Sequence, residues 1–189
     1  MTNRTAASIE RSSETTGTGL WIALIAGLTV IGSYALACVA PLAAVAALAA
    51  LTLSRTEGLI LVVAAWLVNQ AVGFLLLSYP HTAETYAWGA AIGAAAVLGY
   101  FAAASVVPRV KSTLVAVVAS FIAAFAVYQA GLYAFGVATS YAGDSFSLAV
   151  VGEVLMINAV AYVGFLAIHR AAVALALVKP AVHAAPVSA

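Results

Sequence analysis

The chain has 189 residues, of which 66% are hydrophobic and 7% charged, with a net charge of +1 and a mean hydropathy of +1.14. Soluble domains carry about 25% charged residues, so this composition excludes a water-soluble globular domain, and the near-neutral charge offers nothing to nucleic acid. A single cysteine, Cys38, excludes an intrachain disulfide and a Cys-x-x-Cys zinc site.

The first 19 residues are rich in Ser and Thr, with Arg4, Glu10, Arg11 and Glu14 among them. They read as a disordered tail. A cleaved signal peptide is disfavoured, because its apolar core would be about 7–15 residues and the run from Leu20 continues to Leu53. Residues 20–178 then make one membrane domain, and 179–189 a flexible C-terminal tail. No Asp, Glu, Lys or Arg lies between Glu14 and Arg55, between Gly58 and Ala83, between Thr85 and Val107, or between Ser112 and Gly143. Stretches of this length cross a hydrocarbon core of about 30 Å as helices, at about 1.5 Å per residue.

Turn residues and charges divide the domain into six segments, at about 20–38, 39–53, 58–78, 85–107, 112–138 and 146–168. Pro41 marks the first boundary, since the residue before a proline is biased away from helix. Tyr79-Pro80-His81 ends the third segment, Pro108 the fourth, and Tyr141–Asp144 follows the fifth. His169-Arg170 closes the sixth. The second segment is short, at about 24 Å. With six crossings every Lys and Arg (Arg4, Arg11, Arg55, Arg109, Lys111, Arg170, Lys179) falls on one side of the membrane. With five, Arg4 and Arg11 move to the other. The positive-inside rule therefore favours an all-α polytopic membrane protein with six transmembrane helices and both termini cytoplasmic, as in a bacterial inner membrane.

Ala and Gly recur at helical spacing: Ala40, Ala44 and Ala47 in the second segment, and Gly89, Gly93 and Ala96 in the fourth. Small residues let helices approach closely where lipid offers no hydrophobic drive. The Ala40/Ala44/Ala47 face serves either packing within the chain or docking of a partner membrane subunit.

Polar residues inside the spans are the candidate site. They are Asn69 and Gln70, Gln129, Glu153 and Asn158; Asn69, Gln70, Gln129 and Glu153 fall in the outer half of their helices, and no comparable group stands out in the inner half. This asymmetry suggests a polar cavity open to the outside, with a small-molecule solute as its occupant. Glu153 is the one acidic residue well inside a span, and intramembrane carboxyls mark interhelical clamps, ligand contacts or proton relays. All three readings remain open. Tyr79, His81, Glu84, Tyr86, Trp88 and Tyr141 crowd the outer loops, either as an interfacial aromatic belt or as the rim of that cavity. Thr82 is placed to cap the fourth helix. His81 and Glu84 then lie on one face, three residues apart, as candidate metal ligands. Cys38, at the outer turn, is either a small packing residue or a soft metal ligand. His169 reads as an anchor at the cytoplasmic boundary. The sequence implies no particular cofactor. It contains no phosphate-binding glycine loop, no His-Glu-x-x-His and no plausibly placed Ser-His-Asp set, so a non-enzymatic role is expected.

The six-span plan with both ends inside, the length, and the Ala-x-x-x-Ala pairs Ala40/Ala44 and Ala46/Ala50 resemble the substrate-binding S-components of energy-coupling-factor vitamin transporters. The resemblance extends to solitary cobalamin-handling relatives, in which a cysteine contacts cobalt. It implies a pocket in the outer half capped by outer loops, and a small-residue helix that docks on a coupling subunit. The expectation is thus a substrate-binding or permease subunit for a vitamin or metal-related solute. The alternative is a non-catalytic accessory subunit of a larger membrane complex.

Overall fold

The computed structural model describes residues 19, 22–25, 27, 40–140 and 144–178. Residues 1–18 of the expected N-terminal tail, the C-terminal tail, Cys38 and Tyr141 lie outside the described residues. The described chain is helical: α1 (Leu42–Thr52), α2 (Arg55–Leu75), α3 (Ala83–Val106), α4 (Thr113–Ala138) and α5 (Leu148–Ala174), with 3-10 turns at Val107–Arg109 and Asp144–Phe146. Residues 22–25 are also helical, and Ile25 is buried in the core. Four helices, α2 to α5, are long and apolar enough to cross a membrane.

Local chemistry sets the ends of these helices. α2 opens on a capping box in which Ser54 and Glu57 each satisfy the other's backbone N–H. Thr82 caps α3 by accepting from the Thr85 N–H at 3.2 Å, as its position suggests. Pro108 turns the chain after α3 into one 3-10 turn. α5 runs past His169 and Arg170 to Ala174, because the alanines there are good helix formers and the charged residues impose no break.

Neighbouring long helices run antiparallel, as the contacts of glycines show. A Cβ on Gly58 would meet Tyr100, one on Gly89 would meet Gln70, and one on Gly93 would meet Trp66, so α2 and α3 run in opposite directions. Gly99 meets the Ala124 backbone and Gly131 meets Ala95, so α3 and α4 do the same. Tyr162 of α5 reaches Ser120 and Val117 of α4.

The closest backbone approach is Gly99 on Ala124, where an added Cβ would stand 2.8 Å from the carbonyl oxygen. Backbone cannot step aside as a side chain can. Gly99→Ala is therefore expected to cost about 1–3 kcal/mol of overpacking, read as a lower unfolding midpoint in detergent. Gly152→Ala, where a Cβ would meet nothing within 4 Å, should leave the midpoint unchanged or raise it.

The centre of the fold is α1. All eleven of its residues are buried, and it packs against each of α2, α3, α4 and α5. At about 16 Å it covers half of a 30 Å core. It ends at the end of the bundle that carries Arg55 and Arg109, here called the inner end after the charge pattern, with Leu53 and Ser54 between it and α2, and its helical residues fill only that half of the bundle. Of the two roles open to the alanine face, packing within the chain is the one seen: Ala40, Ala44 and Ala47 are 8%, 0% and 0% exposed. Their small side chains let four helices pack around a fifth.

Candidate functional site

A helix that begins buried in protein leaves backbone N–H groups with no water to meet them. For α1, α5 meets that need. Asn158, fully buried, accepts from the Ala44 N–H at 3.2 Å and donates to its own Val154 carbonyl at 2.9 Å. The Val45 N–H bonds Pro41, and the Leu42 N–H bonds Ala40. Asn158 is thus a tertiary cap for α1.

Asn158 and Tyr128 each sit ten residues from the outer ends of their helices, Leu148 and Ala138. Both are therefore about 15 Å deep, at the level where α1 begins. Tyr128 is 7% exposed and belongs to the core cluster that includes all the apolar residues of α1.

Above this level the packing changes. The buried residues of α5 are Asn158, Tyr162, Phe165, His169 and Ala172, and none precedes Asn158. Residues 148–157 are all exposed or half-buried, and Leu148 is 93% exposed. Among the described residues, the first ten of α5 thus bury no side chain, and only Val151, Val154 and Ile157 of them are half-buried.

The expected site residues distribute unevenly around this region. Gln70 lies against Gly89 of α3, and the neighbouring Trp66 donates its indole N–H to the Gly89 carbonyl at 2.8 Å. Asn69 is half-buried and has a partner, and Gln129 is half-buried. Glu153 is exposed. It lies about 140° around α5 from Asn158 at about 100° per residue, so it faces away from the core that Asn158 faces.

The outer loop does bring its aromatic residues together. Phe74 stacks on Tyr86 at 5.0 Å and lies 5.3 Å from the His81 ring, with Tyr79 edge-on at 6.2 Å. His81 Nδ1 and the Tyr86 hydroxyl are 2.7 Å apart. Tyr79 folds back over Gly73, whose carbonyl accepts the Tyr79 N–H at 3.1 Å. Ser78 takes φ +54° to make this turn. Glu84 is exposed in the first turn of α3, where the helix dipole favours a carboxylate. A second aromatic pair, Trp88 and Phe135 at 4.9 Å, ties α3 to α4. Among the described residues no three His, Cys, Asp or Glu side chains come together.

The inner half holds polar groups that the sequence reading passed over. Ser120 and the Tyr162 hydroxyl lie 3.0 Å apart, and Tyr162 also donates to the Val117 carbonyl at 3.0 Å. Thr52 donates to Leu48, and Tyr100 to the Arg55 carbonyl, each at 2.8 Å. The Arg55 guanidinium sits 5.8 Å over the Phe101 ring. His169 is 6% exposed and partnered, a core residue and not a boundary anchor. The signal was available in part, since Asn158, Tyr162 and His169 fall on one face of α5 at spacings of four and seven.

No family model, curated protein or solved structure matches this chain.

Proposed function

We propose that this chain is a membrane-embedded substrate-binding or permease subunit that takes a small solute, a vitamin or metal-related compound, from the outer side of a bacterial inner membrane. One observation supports this reading: among the described residues, α1 begins at the level of Asn158, and none of the ten α5 residues before Asn158 is buried. A half-helix that starts near the midplane is how many transport proteins build a solute site inside the bilayer. The polar residues Asn69, Gln70 and Gln129 sit at or above this level, and the His81–Tyr86–Phe74 cluster crowns the outer end of α2 and α3. In this proposal the first segment supplies the remaining crossing and both termini lie inside. A cysteine at position 82 is then expected to react with an impermeant reagent from outside, and one at 110 from inside. Reaction of both from one side would rule the topology out.

The test of function is solute-dependent stability of the purified full-length protein. A solute at a hundred times its Kd adds about 2.7 kcal/mol to a one-site protein. At least one compound from a panel of vitamins, with Co²⁺ and Ni²⁺, should raise the unfolding midpoint, and Gln129→Ala should blunt the rise.

A second reading, a non-catalytic accessory subunit, is favoured by the use of Trp66 and Gln70 in direct helix packing. It predicts no stabilisation by any solute, and polar substitutions that alter only stability.

A further inference from the structure

We infer that the first segment of the chain, residues 20–39, docks into the inner half of the bundle between α2 and α5, with Ile22 and Ile25 against α1. A helix buried on every side needs neighbours on every side, and all eleven residues of α1 are buried. Its four described neighbours follow one another around it. α2 packs on α3, α3 packs on α4, and α4 meets α5 at Tyr162. No comparable packing joins α5 to α2 among the described residues. One sector around α1 is thus left to a further part of the chain.

Both edges of that sector are at least half-buried. Leu61 and Ala64 lie about 140–160° around α2 from Trp66, which meets α3. Leu61 is nonetheless fully buried and Ala64 half-buried. On α5, Ala161 and Ile168 lie about 100–120° from Tyr162, on the far side of Asn158 from α4, and are half-buried against the core. The first segment has a matching face. Residues 22–25 are helical, Ile25 is fully buried in the core and Ile22 packs against it, whereas Ala23, Leu24 and Gly27 are exposed. The depths agree as well. Ile25 is about 8 Å from the start of its segment, and Leu61 and Ile168 are each about 9 Å from the inner end of their helices. Connectivity makes this same chain the occupant. α1 starts beside α5, where Asn158 meets the Ala44 N–H. The fourteen residues 26–39 span up to about 50 Å, enough to reach the outer surface and return to Ala40. The packing requires that the segment start inside, and it requires no solute.

The experiment is disulfide cross-linking of the full-length protein in its membrane, with Cys38 replaced by Ser. Ile25→Cys is combined with Leu61→Cys or with Ile168→Cys, and the linked peptides are identified by mass spectrometry. Cysteines whose Cα atoms are more than about 7 Å apart are not bridged, so both pairs should link at least about tenfold faster than Leu24→Cys with Ile168→Cys or Ile25→Cys with Ile122→Cys. Leu24 and Ile122 are exposed and serve as controls. If Ile25→Cys does not purify, Ile22→Cys, which is half-buried, takes its place with the same partners and the same expected result. The linked chain should keep the mass of a monomer. Linkage only between two chains, no linkage to either helix, or equal linkage of the controls would each overturn the inference. Linkage of position 25 to Val154→Cys and not to Ile168→Cys would overturn it together with the inside start, and leave the solute-binding reading to its own test. Failure of every solute to bind, with both pairs linked, would remove that reading and uphold this one.

Discussion

Asn158→Leu should lower the stability of the protein by about 1–3 kcal/mol. The substitution keeps the volume of the side chain but takes the acceptor from the Ala44 N–H, which lies in a fully buried helix. A buried donor left unsatisfied costs about 1–3 kcal/mol, and no water reaches the membrane interior to replace the lost partner. The loss should be local before it is global. Amide exchange at Ala44 and Val45 should accelerate more than exchange at Leu48, which lies one turn deeper. A variant as stable as the wild type, with exchange unchanged, would mean that α1 does not depend on α5 for its cap.

Ala47→Leu should have the larger effect. Ala47 lies at the middle of α1 and is fully buried, with four helices around it. Three added carbons have no void to enter, and overpacking of a tight core costs about 1–3 kcal/mol or more. The expected outcome is aggregation on extraction, or a sharply lower unfolding midpoint. The alternative role of this alanine face, docking a partner, makes the opposite forecast. A docking variant would purify as a stable monomer and lose only its assembly. Solubility and monodispersity of Ala47→Leu in detergent separate the two.

Much of the fold follows from charge and turn chemistry alone. The empty stretches delimit α2, α3 and α4 to within a few residues, because a charge in hydrocarbon is costly, whereas α5 carries Glu153 and Arg170 and extends six residues past its expected end. Thr82, Pro108 and Pro41 then place the caps and breaks. The length of α1 is not legible in this way. Lipid tails and a bundle of Ala, Leu and Val are equally apolar, so hydropathy over 39–53 reads the same for a short span as for a half-helix buried in protein. The facing of α5 is legible only in part. Glu153 and Asn158 are five residues apart, hence about 140° apart around the helix, and cannot both face the core. Choosing between them needs the position of α1, whose N–H group Asn158 satisfies. The inner polar pair Ser120–Tyr162 escaped notice for a related reason. Hydroxyls return their hydrogen bonds to nearby carbonyls, as Ser120 and Tyr162 do with Val117, and so cost little in an apolar sequence.

The central claim is that the bundle is closed around α1 in its inner half and open beside α5 in its outer half. Cysteine scanning with an impermeant thiol reagent, in right-side-out vesicles and in a background with Cys38 replaced by Ser, tests this most directly. Val151 and Val154 lie on the same face of α5 as Asn158, above it, and are half-buried. Val151→Cys and Val154→Cys should react from outside, and a bound solute should slow them. Val45→Cys in α1 should react from neither side. Shielding of both α5 positions together with labelling of the α1 position would contradict the account.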